Sequence, residues 1–182
     1  MISLLGKKVK LRALEPEDLD FLFEVENNTN FWEVSSSQVP FSRYMLKKYL
    51  ENAHQDIYEA KQLRLVVEET TNSQAIGLID LFDFNPQHKR AGIGVLIHEQ
   101  YQKAGFASEA LALLIPYCFK TLHLHQLFAN ITPDNQHSIA LFMGHGFKNN
   151  GEKKDWLYVN GAFKNELIFQ LMNELCNYYQ YN

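Results

Sequence analysis

Gln102-Lys103-Ala104-Gly105-Phe106-Ala107 is the stretch on which the reading of this chain turns. It stands between an apolar run that ends near His98 and a long segment with one apolar face that begins at about Gly105. Ala104, Gly105 and Ala107 are small, so the backbone can turn sharply there and lie close to a ligand. If a helix opens at this point, its first N–H groups have no partner within the helix and point outward. With the positive end of the helix dipole they make an anion site suited to a pyrophosphate. The stretch is not a P-loop, because no Gly-Lys-Ser/Thr is present, and it is not the Gly-x-Gly-x-x-Gly dinucleotide fingerprint. Taken alone, Q-x-x-G-x-A is more often an ordinary strand-to-helix turn.

The surrounding pattern sets the context. Downstream, Ala107, Leu111, Leu114, Ile115, Cys118 and Leu122 form one apolar face, which predicts a helix over 105–122. Pro116 lies inside it and is expected to kink or locally open it. Upstream, residues 63–69, 75–84 and 91–98 read as three strands. The short polar turns between them, Thr71-Asn72-Ser73 and Asn85-Pro86-Gln87, favour antiparallel hairpins. Earlier still, residues 9–13 read as a strand. Glu15-Pro16-Glu17-Asp18 then opens a helix that runs to about Asn28, and Ser42 caps a second one. Beyond the long helix come a strand over 126–132, a short helix over 135–145 and two strands over 147–159 and 162–171. The last two flank Asn160-Gly161, a type I′ hairpin signal. The order β-α-α-β-β-β-α-β-α-β-β implies an α/β (α+β mixed) fold. Its centre is a mixed, mostly antiparallel sheet of about seven strands with helices on both faces.

The 182 residues are 46% hydrophobic and 21% charged, so the chain reads as a single folded domain over 1–182. The net charge of −4 argues against a general nucleic-acid binder. The longest apolar run, 110–119, is about half of the ~20 residues that a membrane span needs. The N-terminal Met-Ile-Ser-Leu-Leu-Gly-Lys-Lys carries its charges after its short apolar part, unlike a signal peptide, so the cytoplasm is the expected compartment. Cys118 and Cys176 are expected as free thiols there.

In this context the 102–107 stretch resembles the coenzyme A loop, Q/R-x-x-G-x-G/A, of the GNAT superfamily of N-acetyltransferases, and the element order is similar too. Asn135-Gln136-His137-Ser138-Ile139-Ala140-Leu141-Phe142, followed by Gly146-Phe147, resembles that superfamily's fourth-helix segment N-x-x-S-x-x-L-Y…G-F. The likeness runs from Leu11-Arg12-Ala13-Leu14-Glu15-Pro16-Glu17-Asp18 to Val159-Asn160-Gly161. It leans toward the spermidine and ribosomal-protein alanine acetyltransferase branches, and Gly77-Leu78-Ile79-Asp80-Leu81-Phe82-Asp83-Phe84-Asn85 with His88-Lys89-Arg90-Ala91 is similar to the spermidine branch.

The resemblance implies a GNAT fold and direct transfer of an acetyl group from acetyl-CoA to a primary amine: a polyamine, another small amine or a peptide N-terminus. It implies that two parallel strands, about 93–98 and 127–132, splay to take the pantetheine arm. It places the cofactor on Ile97, Gln102, Lys103, Ala104, Gly105, Phe106 and Ala107, with Asn135 and Phe142 near the thioester. Asn135 and Asp83 are the implied catalytic residues, with Asp83 binding a cationic acceptor or relaying its proton. Two positions depart from the superfamily. Its usual Tyr, proposed to protonate the leaving thiolate, is Phe142 here, and a candidate base after Ala91 is replaced by Gly92. A catalytically weak CoA-binding regulatory or sensor module with the same fold is therefore the alternative.

Other residues are weighed on the sequence itself. Asp80 and Asp83 are separated by an odd spacing, so on an ideal strand only one faces the cleft. His123 and His125 have no further ligands at suitable spacing, so no metal is expected. Phe31, Trp32, Tyr44 and Tyr49 either line the acceptor side or pack in the core. An acidic cluster for polyamine looks poor in the early loop, where Glu33 stands alone before Ser35-Ser36-Ser37. The aromatic tail Tyr178-Tyr179-Gln180-Tyr181 either contacts a partner in a homodimer or larger homo-oligomer, or lies loose.

Overall fold

The computed structural model of the chain describes residues 3–35 and 39–174. Cys176, the tyrosine tail, Ser36 and Ser37 lie outside the described residues, and so does the side chain of Glu33. Strand β1 (Val9–Arg12) leads through a 3-10 turn at Pro16–Asp18 into α1 (Leu19–Asn27). Then follow α2 (Thr29–Ser35), α3 (Arg43–Glu51), α4 (Ile57–Ala60), β2 (Leu63–Glu69), β3 (Ala75–Asn85) and β4 (Arg90–Ile97). Helix α5 (Phe106–Lys120), β5 (Gln126–Ile131), α6 (Gln136–Gly144), β6 (Lys148–Val159) and β7 (Ala162–Met172) complete the order. The seven strands form one mixed sheet in the order β1-β2-β3-β4-β5-β7-β6, antiparallel throughout except between β4 and β5.

Local chemistry accounts for most of these boundaries. The Ser42 side chain accepts a hydrogen bond from the Met45 N–H and starts α3 as expected. Asn160 (φ 51°) and Gly161 (φ 82°) hold the left-handed pair that a type I′ turn demands. Two short helices escape the periodicity argument because one or two turns give too few repeats. In α4 the signal was the cap: Asp56 accepts from the N–H groups of Tyr58 and Glu59. Helix α5 runs unbroken through Pro116, so the proline does not open it. Ala112, four residues earlier, is exposed, so water can solvate the carbonyl that Pro116 leaves without a donor.

Strand parity divides the core in two. Odd-numbered residues of the central strands, among them Leu65, Val67, Ile79, Leu81 and Ile93, pack with Leu111 and Leu114 of α5. Even-numbered Val66 and Leu78 pack on the other face with Leu22 and Val25 of α1 and Leu46 of α3. The helices α1–α3 thus cover one face and α5 and α6 the other.

Candidate active site

The parallel pair β4–β5 is short. Arg90, Ala91 and Gly92 pair with Gln126, Leu127 and Phe128, and the pairing ends there. Beyond it β4 runs on to Ile97 and β5 to Ile131, so the two strands diverge and alternate backbone groups face an open wedge. The wedge widens into a cavity of about 620 Å³, within the usual range for small-molecule sites. Ile93, Gly94 and Val95 border it on one side and Ala129, Asn130 and Ile131 on the other.

Past the end of β4 the chain turns into α5 through the 102–107 loop. Lys103 (φ 63°) and Gly105 (φ 85°) are both left-handed, and Gly105 is the N-cap of α5. The Gln102 amide donates to the Ile97 carbonyl at 3.0 Å and ties the loop to the strand end. The Lys8 ammonium donates to the Ala104 carbonyl at 2.9 Å, beside the loop. Lys8 is held there because its backbone N–H, with that of Lys7, donates to Glu109 on α5. A glycine turn, free helix N–H groups and a nearby ammonium fit the phosphates of coenzyme A, and the open strand edges fit an extended amide-bearing arm.

The implied site residues are not all in one place. Asn135 and Phe142 line the cavity, whereas Ile97 and the 102–107 loop lie beyond it, at the end of β4. Asn135 caps α6, its side-chain oxygen accepting from the Ser138 N–H at 3.1 Å. Phe142 is buried against Phe147, edge to face at 5.1 Å between ring centroids. Asp83 does not face the cleft. The β3–β4 register shifts between Phe82 and Asn85, and Asp83 sits in that bulge, left-handed (φ 48°) and exposed. A bulge cancels strand parity locally, which a sequence spacing alone cannot foresee.

Asp80 faces the cavity instead, within a network that the sequence reading missed. Arg64 on β2 pairs with Asp80 through two hydrogen bonds of 2.8 and 3.0 Å, reaches Glu26 of α1 at 2.5 Å and stacks over Tyr49 at 5.8 Å. Burial would lower the Arg64 pKa, but the charge of Asp80, with its hydrogen bonds, outweighs it and pushes the value up. Burial also pushes the Tyr49 hydroxyl up, against the opposing charge of Arg64. A signal was present in the sequence: Arg64 and Asp80 each stand between two apolar residues in a strand-like run. Asp134 and Glu166 line the same cavity and pair with Lys164 and Lys153, both at 2.7 Å. No cluster of metal-ligating residues occurs among the described residues, and no helix among them is long and apolar enough to cross a membrane.

Comparison with known proteins converges on this geometry. The acetyltransferase (GNAT) domain profile matches residues 8–148. Spermidine N(1)-acetyltransferase of Escherichia coli K12 is 30% identical over 168 residues, covering 89% of this chain and 86% of that one. The [ribosomal protein uS5]-alanine N-acetyltransferase of the same organism is 33% identical over 79 residues, 43% of this chain and 41% of that one. The crystal structure of spermidine N-acetyltransferase from Vibrio cholerae in complex with CoA and spermine superposes with a TM-score of 0.83. It is 27% identical, over 92% of this chain and 96% of that one. A dodecameric structure of that enzyme superposes with a TM-score of 0.76 at 27% identity, over 92% and 95%. Nothing in these comparisons favours a regulatory module. The chain belongs to the GNAT acetyltransferase family and is an acetyl-CoA-dependent N-acetyltransferase that acts on a primary amine.

Proposed function

We propose that the acceptor is a cationic primary amine of the polyamine class, held by Asp80. The observation that carries this reading is the carboxylate of Asp80 on the cavity wall, beside Gly94 and next to the wedge. Asp134 and Glu166 line the same cavity, each paired with a lysine, and offer further acceptor oxygens to ammonium hydrogens. The spermidine enzymes among the relatives support the same class. Acetyl-CoA supplies an activated acetyl thioester. The 102–107 loop holds its phosphates through backbone N–H groups, with Lys103 and Lys8 as counter-charges. Ile97 borders its arm at the strand end, and the Asn135 amide and the Phe142 ring flank its reactive end. Catalysis then consists mainly of placing the amine nitrogen against the carbonyl carbon. A cytoplasmic homo-oligomer suits the reading: Cys118 is a free thiol, pushed up to about 12 by burial, and the Vibrio cholerae enzyme has a dodecameric form.

The test is a kinetic panel with wild type and Asp80→Asn. Spermidine, a linear diamine and a short peptide with a free N-terminal alanine serve as acceptors. Asp80→Asn should raise KM about tenfold or more for the polyamine, as loss of a charged contact implies, and much less for the peptide. Equal changes would take Asp80 out of the acceptor site. Turnover of the peptide alone would move the acceptor to protein N-termini.

A further inference from the structure

Asp80 and Phe82 are two residues apart on β3, so both face the side of the sheet covered by α1–α3, and their partners on β4 are Gly94 and Gly92. The two glycines differ in what lies over them. A methyl group built on Gly92 would come within 2.2–2.6 Å of three carbons of the Phe82 ring, but one built on Gly94 would meet only that ring, at 3.9 Å. The Phe82 ring therefore occupies the place of a side chain on Gly92. On the other flank Gly92 pairs with Phe128, whose ring meets that of Phe82 edge to face at 5.6 Å. Gly92–Phe128 is also the last rung before the strands diverge, so the two rings cap the apex of the wedge.

Among the described residues, the charged groups around the cavity are Arg64, Asp80, Asp134 and Glu166, with Glu26 in a small adjoining recess. Each carboxylate is engaged by a cation: Asp80 and Glu26 by Arg64, Asp134 by Lys164, Glu166 by Lys153. The row Phe82–Gly92–Phe128 carries none of them.

We infer that Phe82 is a positioning residue that admits the reacting nitrogen as the neutral amine, in place of a side-chain base at the apex. This rests on the amine-acceptor reading above. An apolar wall disfavours the ammonium over the free amine, so the proton leaves to bulk water as the nitrogen enters. The nitrogen then bonds to the acetyl carbon, the carbon–sulfur bond breaks, the nitrogen gives up one proton and the sulfur gains one. A second, distal ammonium stays charged on the Asp80 side, and only the longer diamines span the about 6.6 Å along the strand to Asp80 itself.

The test uses ethylenediamine, 1,3-diaminopropane and 1,4-diaminobutane, whose dications lose a proton at progressively higher pH. The profile of log(kcat/KM) should rise with a slope of about one and level off at a pH that moves with the acceptor. A break at one fixed pH for all three overturns the inference, because it marks an enzyme base. Calorimetry of diamine binding to the CoA complex, in buffers of different ionisation enthalpy and well below the pH at which the dication loses a proton, should show about one proton released per amine bound. No release overturns it as well. The double variant Phe82→Ile/Gly92→Glu removes the ring and supplies a carboxylate, and it should create an acceptor-independent break. If that variant does not fold, the two wild-type measurements decide. Turnover and binding absent with every amine would overturn the acceptor reading, and this inference with it.

Discussion

At the scale of single residues, Gly105 tolerates little change. Its φ of 85° disfavours any side chain, and a Cβ there would stand 3.3 Å from the Lys8 ammonium. Gly105→Val should weaken acetyl-CoA binding by at least tenfold, since strain of about 1–3 kcal/mol adds to a blocked phosphate approach. Calorimetry reads this directly, and wild-type affinity in the variant would remove the loop from the cofactor site. Phe142 is the second such residue. It lines the cavity, and on the proposed placement of the cofactor a hydroxyl there would reach the departing sulfur. Phe142→Tyr should raise turnover by about tenfold, below the roughly 100- to 10,000-fold usual for general acid catalysis because a thiolate is a good leaving group. An unchanged kcat with the fold intact would mean that water already protonates the thiolate.

At the scale of elements, α5 carries a removable defect. Pro116→Ala restores one N–H for the Ala112 carbonyl, and the helix already runs unbroken through that position. It should stabilise the protein by about 1–2 kcal/mol, part of the ~3 kcal/mol cost of an interior proline, because alanine also loosens the unfolded chain. Urea unfolding should show a higher midpoint at an unchanged m-value. The elements also show where a sequence stops being informative. The strands of the sheet and the helices α1, α3, α5 and α6 announce themselves by period, cap or turn. The wedge at β4–β5 does not, because divergence depends on what the neighbouring strand does after Gly92. The exposure of Asp83 and the inward turn of Asp80 were hidden for a related reason. A bulge is a two-strand property, and the spacing of two acids within one strand says nothing of it. The Phe82–Gly92 contact is likewise a cross-strand fact: the glycine is visible in the sequence, but the ring that requires it is not.

At the scale of the whole molecule, acid should act first at one corner. Arg12 joins Asp18 and Glu68, bonding both oxygens of Asp18 at 2.8 and 2.9 Å. Burial would raise both carboxyls, but the hydrogen bonds from Arg12, with Glu15 N–H at Asp18 and Lys10 at Glu68, hold both below the usual range. Depressed carboxylates contribute stability that is present above their unfolded pKa of about 4 and lost as pH falls through the folded values. Stability should therefore be nearly flat from pH 7 to 5 and decline below about pH 4. Arg12→Met should cost about 2–3 kcal/mol at pH 7, at the low end for a broken buried pair because Arg12 is partly exposed. That gap should close as pH falls, and a gap independent of pH would mean that packing, not charge, sets the cost.

The three rungs between β4 and β5 carry a last consequence. Strands β1–β4 form one hydrogen-bonded raft and β5, β7 and β6 another, and those rungs are the seam. An extended ligand arm lying in the wedge supplies the missing rungs and serves as a temporary eighth strand. The free protein should then breathe as two rafts and the loaded one as a single plate. The amides of residues 93–97 that face the seam report this by exchanging with solvent quickly when the wedge is empty and slowly when it is filled.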